Sequence, residues 1–106
     1  MNRTLLAGIA TIMLTFGVAL GTQAYQGFKG GYGYEGVNIR TGPYLSSTSI
    51  GLGYSSHSTC MHYYDTGDYV NGSPWWWHHT NTTTNTTGWS HEDYLWLTYP
   101  YVDCFE

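Results

Sequence analysis

From Val37 to Arg40 apolar and polar residues alternate, Val37 and Ile39 against Asn38 and Arg40, and Gly42-Pro43 follows. That is the period of a half-buried strand stopped by a turn. After a polar loop over residues 44–49, Ile50-Gly51-Leu52 reads as a short strand. Between Ser58 and Tyr64, Cys60, His62 and Tyr64 fall on one face and Thr59, Met61 and Tyr63 on the other, a composition suited to a strand, and Asp65-Thr66-Gly67-Asp68 reads as the turn that ends it. Asn71-Gly72 is the strongest hairpin signal in the chain, although Ser73-Pro74 behind it predicts a connection longer than two residues. Trp75-Trp76-Trp77 opens the next strand, where alternation gives Trp75 and Trp77 one face and Trp76 the other, so at least one indole must face solvent. The Asn/Thr tract from Asn81 to Thr87 lacks apolar anchors and predicts an exposed hairpin loop; Gly88-Trp89-Ser90 starts another strand and Tyr94-Leu95-Trp96-Leu97 adds further apolar positions. Short strands separated by Gly, Asn and Ser turns, with no amphipathic helix, predict an all-β barrel or sandwich.

The flanks follow other rules. Arg3 precedes an uncharged apolar run from Leu5 to about Leu20 and small polar residues ending Thr22-Gln23-Ala24, the layout of a secretory signal peptide cleaved after Ala24. A membrane anchor is the rival reading, but the run is short of a spanning helix and carries Gly8 and Gly17. The absence of a Cys near the cleavage point argues against a lipid anchor, and no later segment is apolar enough for stable membrane insertion. Residues 25–36, YQGFKGGYGYEG, show no sustained period and read as a flexible Gly/Tyr-rich lead-in, leaving residues 37–106 as one small domain. Domains of that size bury a limited share of their surface and need a staple. The only cysteines are Cys60 and Cys104, and export favours a bridge between them, which the chain-entropy model values at about 4 kcal/mol. Free or intermolecularly paired thiols are the alternative.

Charge then narrows the partners. The 106-residue chain has 3 Lys or Arg and 7 Asp or Glu, and beyond Ala24 the cations are Lys29 and Arg40 alone. An acidic surface repels phosphate backbones and anionic lipids, which excludes nucleic acid and electrostatic membrane attachment and favours a neutral, zwitterionic or cationic target. Catalysis finds little footing: a disulfide removes both thiols, no spacing fixes a base beside a nucleophile, and His91-Glu92-Asp93 reads as a polar turn. His57, His62, His78, His79 and His91 lie among carboxylates, but adjacent strand histidines point apart and no closed Cys/His set is present, so neither metal nor other cofactor is expected. Asn81-Thr82-Thr83 and Asn85-Thr86-Thr87 match the N-glycosylation sequon, which is read as chance within a polar tract.

The run Val37-Asn38-Ile39-Arg40-Thr41-Gly42-Pro43 closely resembles the opening of a bacterial SH3-like (SH3b) domain, whose first core strand enters its longest loop through V-N-[VI]-R-x-G-P. Ser46 to Gly51 resembles, one residue shorter, the S-x-x-x-x-I-G segment after that turn, Trp76 stands where the family has a central aromatic strand, and Gly88-Trp89 with Tyr94-Leu95 resembles its closing elements. The mid-chain Cys60 and the stretch from Thr66 to Gly72 look especially like short secreted actinobacterial SH3 domains. Departures gather near the last strands: Ser90 stands in place of an apolar residue, the Asn/Thr tract lengthens a loop, and His78-His79 replaces Lys and aliphatic residues. The resemblance implies an SH3-like barrel of five to seven short strands. It also implies a secreted, non-catalytic, monomeric module, extracellular or wall-associated, that takes peptidoglycan peptide in a groove beside the first long loop. Carried over, the contacts are Asn38, Arg40, Tyr44, Trp76 and Tyr94, with Arg40 also able to pin the loop through backbone carbonyls and Trp76 to serve the core. The alternatives are a module that binds or inhibits another secreted protein, or an adhesive coat component suggested by the Gly/Tyr-rich stretch.

Overall fold

The computed structural model describes residues 26–104, so the expected signal peptide, residues 1–24, lies outside the described residues. Among the described residues seven strands form one antiparallel sheet: β1 (Phe28–Tyr32), β2 (Val37–Arg40), β3 (Ser49–Gly53), β4 (Ser58–Val70), β5 (Ser73–Asn81), β6 (Thr86–His91) and β7 (Leu95–Leu97), with a 3-10 turn at Glu92–Tyr94. Their spatial order is β3-β2-β6-β5-β4-β1-β7, and the sheet curls into a half-barrel. The all-β expectation holds at this level.

Strand β2 behaves as its alternation requires. Val37 and Ile39 are buried and Asn38 is exposed, and together with Tyr32 they form a core cluster against which Tyr94 and Leu95 pack. The rest of the interior is unusually polar: Thr59, His79, Thr80, Asn81, Ser90 and His91 are all buried beside Met61, Cys60 and Trp76. Burying such groups is costly without partners, and each of them except Thr59 Oγ1 has one. Tyr32 Oη donates to His79 Nε2 (2.9 Å) and His79 Nδ1 to the Trp77 carbonyl (3.2 Å), an assignment that follows because a carbonyl can only accept. Ser90 Oγ donates to the Asn38 carbonyl at 2.6 Å. That bond supports the join between β2 and β6, whose register is carried by Arg40 opposite Trp89, and it explains why a serine occupies an interior position there.

Four expectations are corrected. Residues 28–32, expected within a flexible lead-in, form strand β1 between β4 and β7, with Tyr32 buried, so the folded unit begins before residue 37. The glycines that obscured its period serve packing: a Cβ on Gly30 would collide with the Trp96 carbonyl oxygen and one on Gly31 would meet the Trp96 ring. Asp65–Asp68 does not end its strand. β4 continues to Val70, and irregularities after Met61 and after Thr66 absorb the mismatch with β5. The expected alternation also fails: Thr59, Cys60 and Met61 are consecutively buried ahead of the first irregularity, and Tyr63 and Tyr64 are both exposed. The β4–β5 connection is a two-residue turn, Asn71 (φ 50°) and Gly72 (φ 80°) between paired Val70 and Ser73; Pro74 falls in the irregular stretch, where it forfeits no register pair. The Asn/Thr tract is the expected exposed hairpin loop, with residues 82–85 exposed, and polar Asn81 anchors it. Its buried amide accepts from the Thr83 and Thr84 N–H groups (3.0 and 3.1 Å) and bonds His57 Nδ1 (2.8 Å).

Cys60 and Cys104 form a disulfide, Cα to Cα 5.7 Å. It straps the C-terminal segment along β1, where Lys29 N donates to the Val102 carbonyl, Thr98 N to the Lys29 carbonyl and Cys104 N to the Gly27 carbonyl. A disulfide in this place is consistent with an oxidising compartment.

Candidate functional site

A groove of about 260 Å³ opens beside β2 and is lined by Tyr34, Glu35, Val37, Asn38, Arg40, Leu45, Val70, Trp76, His91 and Tyr94 with Gly36. It brings together Asn38, Arg40, Trp76 and Tyr94 of the anticipated residues. Tyr44 is exposed and is not among the lining residues; it lies on the turn closed by Ser47 N to the Tyr44 carbonyl (3.0 Å).

One wall is the loop over residues 41–48. Arg40 Nη1 donates to the carbonyls of Leu45 (3.1 Å) and Ser47 (3.0 Å), so its guanidinium fastens the loop from beneath. From the other side, Leu45 N donates to Asp68 Oδ2 (2.8 Å) and Asp68 N to the Pro43 carbonyl (3.0 Å). The loop rides so close to β4 that a Cβ on Gly67 would collide with the Pro43 carbonyl oxygen. Glycine is required here by approach.

The floor is Trp76, 2% exposed, with its Nε1 donating to the Asp68 carbonyl at 2.8 Å. Its ring meets His91 edge-on at 5.3 Å, and His91 in turn donates from Nε2 to the Ser73 carbonyl (2.8 Å) and accepts from Asp93 N at Nδ1 (3.1 Å). Tyr34 and Tyr94 make the far lip, centroids 5.6 Å apart and nearly perpendicular. Tyr34 is 59% exposed, and Glu35 beside it is held by hydrogen bonds from Ser55. Both were missed by sequence reasoning because they sit in the Gly/Tyr-rich stretch; the signal available was their position directly before Val37. The walls are thus aromatic, with exposed polar edges from Asn38 and Glu35. Asn38 Oδ1 is partly engaged, accepting from Ser49 Oγ at 2.8 Å.

The histidines do not gather around one point. His79 is buried, and loss of hydration pushes its pKa down to about 4; burial also lowers His78, with His62 nearby adding to the effect. Burial raises the Tyr32 hydroxyl well above its ordinary range, so it remains a donor. Among the described residues no group of three or more His, Cys, Asp or Glu side chains is placed to hold a metal ion. The groove can hold an extended chain by stacking and by edge hydrogen bonds.

No family model, curated protein or solved structure matches this chain.

Proposed function

We propose that this chain is a secreted, non-catalytic binding module of the SH3-like type that holds cell-wall peptide in the groove beside β2. The observation that carries the reading is the aromatic groove itself, which unites Asn38, Trp76 and Tyr94 under a loop fastened by Arg40. Rigid aromatic lips supply contact area at low entropic cost, and exposed polar edges give an extended peptide partners for its amides. The acidic net charge of −4 favours peptide over anionic wall polymers. Arg40 is a positioning residue in this scheme, since its Nη1 is committed to two carbonyls.

Sedimentation with purified peptidoglycan tests the proposal. The mature domain is expected in the pellet at low salt, and Tyr34→Ala with Tyr94→Ala is expected to weaken retention roughly tenfold. A domain left wholly in the supernatant sinks it. The second reading, a module for another secreted protein, is favoured by the exposed aromatics Tyr69, Tyr99 and Tyr101, which lie outside the groove. Recovery of a stoichiometric protein partner that is released by substitutions at those tyrosines, and not by groove substitutions, would select it.

A further inference from the structure

Strand β5 carries its three consecutive indoles on two faces. Trp76 faces the interior and floors the groove, whereas Trp75 and Trp77 face outward. Directly opposite Trp77 on β4 stands Tyr64, which is 58% exposed. The Tyr64 ring lies 5.4 Å from Trp75 at an interplanar angle of 89° and 5.1 Å from Trp77 at 74°. Rings meeting near right angles make walls of a cup, not a flat stacking platform. Tyr64, Trp75, Trp77 and Glu92 line an open concavity of about 290 Å³. The carboxylate is set in place: Ser73 Oγ donates to Glu92 Oε2 at 2.5 Å and itself accepts from Trp75 N at 3.3 Å.

We infer that this cup is a second binding site, on the outer face of the sheet, for an alkylated ammonium group of the choline type. The aromatic faces present negative quadrupole to a cation, and the attraction is greatest for a weakly hydrated one, because little solvation is lost on entry. A trimethylammonium head meets that condition better than a lysine ammonium, which needs three hydrogen-bond acceptors where the cup has one carboxylate. A sugar is disfavoured by the same count, since stacking on a pyranose wants a flat face with polar groups around its rim. Neither Lys29 nor Arg40 is among the walls, so no cation of the described chain fills the cup, and the surplus of acidic residues draws cations toward it.

Two-dimensional NMR of the five tryptophan indole N–H signals tests the site in the folded, disulfide-bonded domain, with choline chloride as probe and sodium chloride matched for ionic strength. The control is 3,3-dimethyl-1-butanol, the uncharged carbon isostere. Choline is expected to shift the Trp75 and Trp77 signals saturably in the millimolar range while Trp76 stays still, and the isostere is expected to leave all of them in place. Trp77→Leu should weaken choline about tenfold and Glu92→Gln about threefold. Glu92→Gln keeps the side-chain shape and the Ser73 contact, so it reads the charge even if the tryptophan variant fails to fold. Equal shifts with the isostere, unchanged affinity in Glu92→Gln, or no movement of Trp75 and Trp77 would overturn the inference. Peptidoglycan sedimentation reads the opposite face of β5, so either proposal can fail without the other.

Discussion

His79 shows how a buried polar side chain writes itself into the stability of the whole domain. Its neutral imidazole is held between the Tyr32 hydroxyl and the Trp77 carbonyl, and burial depresses its pKa from 6.5 to about 4. In the unfolded chain the group protonates near pH 6.5, while in the folded one it stays neutral to about pH 4, so the unfolded state binds the extra proton between those values. Stability is therefore full above pH 6.5 and falls as the pH drops toward 4, by about 3 kcal/mol. Urea titrations at stepped pH should show that slope, and His79→Gln should flatten it whatever its effect on stability at neutral pH. The loop over the groove offers a second test. Gly67→Ala should cost roughly 2 kcal/mol by forcing Pro43 away from β4, whereas Arg40→Ala, which frees two partly solvated carbonyls, should cost about 1 kcal/mol. Both variants should speed amide exchange at Thr41 and Leu45, whose N–H groups bond the Thr48 carbonyl and Asp68.

At the scale of elements, the turn after β5 is tied to β4 by Thr82 N to the Ser58 carbonyl and by Ser58 N to Thr83 Oγ1, and it is braced from within by Asn81. Asn81→Ala removes acceptors from two backbone N–H groups and a partner from His57, an expected loss of about 2 kcal/mol in chemical denaturation. That anchor was hidden in the sequence because tracts are read for apolar residues, and this one is polar. Strand β2 was legible because Val37 and Ile39 alternate cleanly, and the split of Trp75 and Trp77 from Trp76 followed from the period of any strand. Strand β1 was not, since Gly30 and Gly31 erase the pattern that side chains would carry while making room for Trp96. The length of β4 escaped for a related reason: Asp65 to Asp68 has the composition of a turn, yet tertiary pairing with β5 keeps it extended. Irregular pairing there is what lets Gly67 and Asp68 meet the loop above the groove. The candidate site was legible where it borders β2 and illegible at Tyr34 and Glu35, whose neighbours are glycines.

Across the whole molecule the disulfide matters most to the C-terminal segment. Cys60 is buried near the start of β4 and Cys104 lies near the end of the described chain, 44 residues apart, so reduction should lower stability by about 4 kcal/mol and release the segment from β1 before the remaining strands. Denaturation with and without reductant measures the first, and faster amide exchange at Lys29 and Cys104 the second. The strap has another consequence. Because Cys104 N bonds the Gly27 carbonyl, the two ends of the described fold leave the sheet side by side. The order of the strands along the polypeptide is then separable from their order in space: a short glycine-serine bridge from residue 104 to residue 26, with new ends opened at the exposed Asn71-Gly72 turn, should yield a circular permutant that keeps the same sheet, the same Cys60–Cys104 bridge and the same indole spectrum.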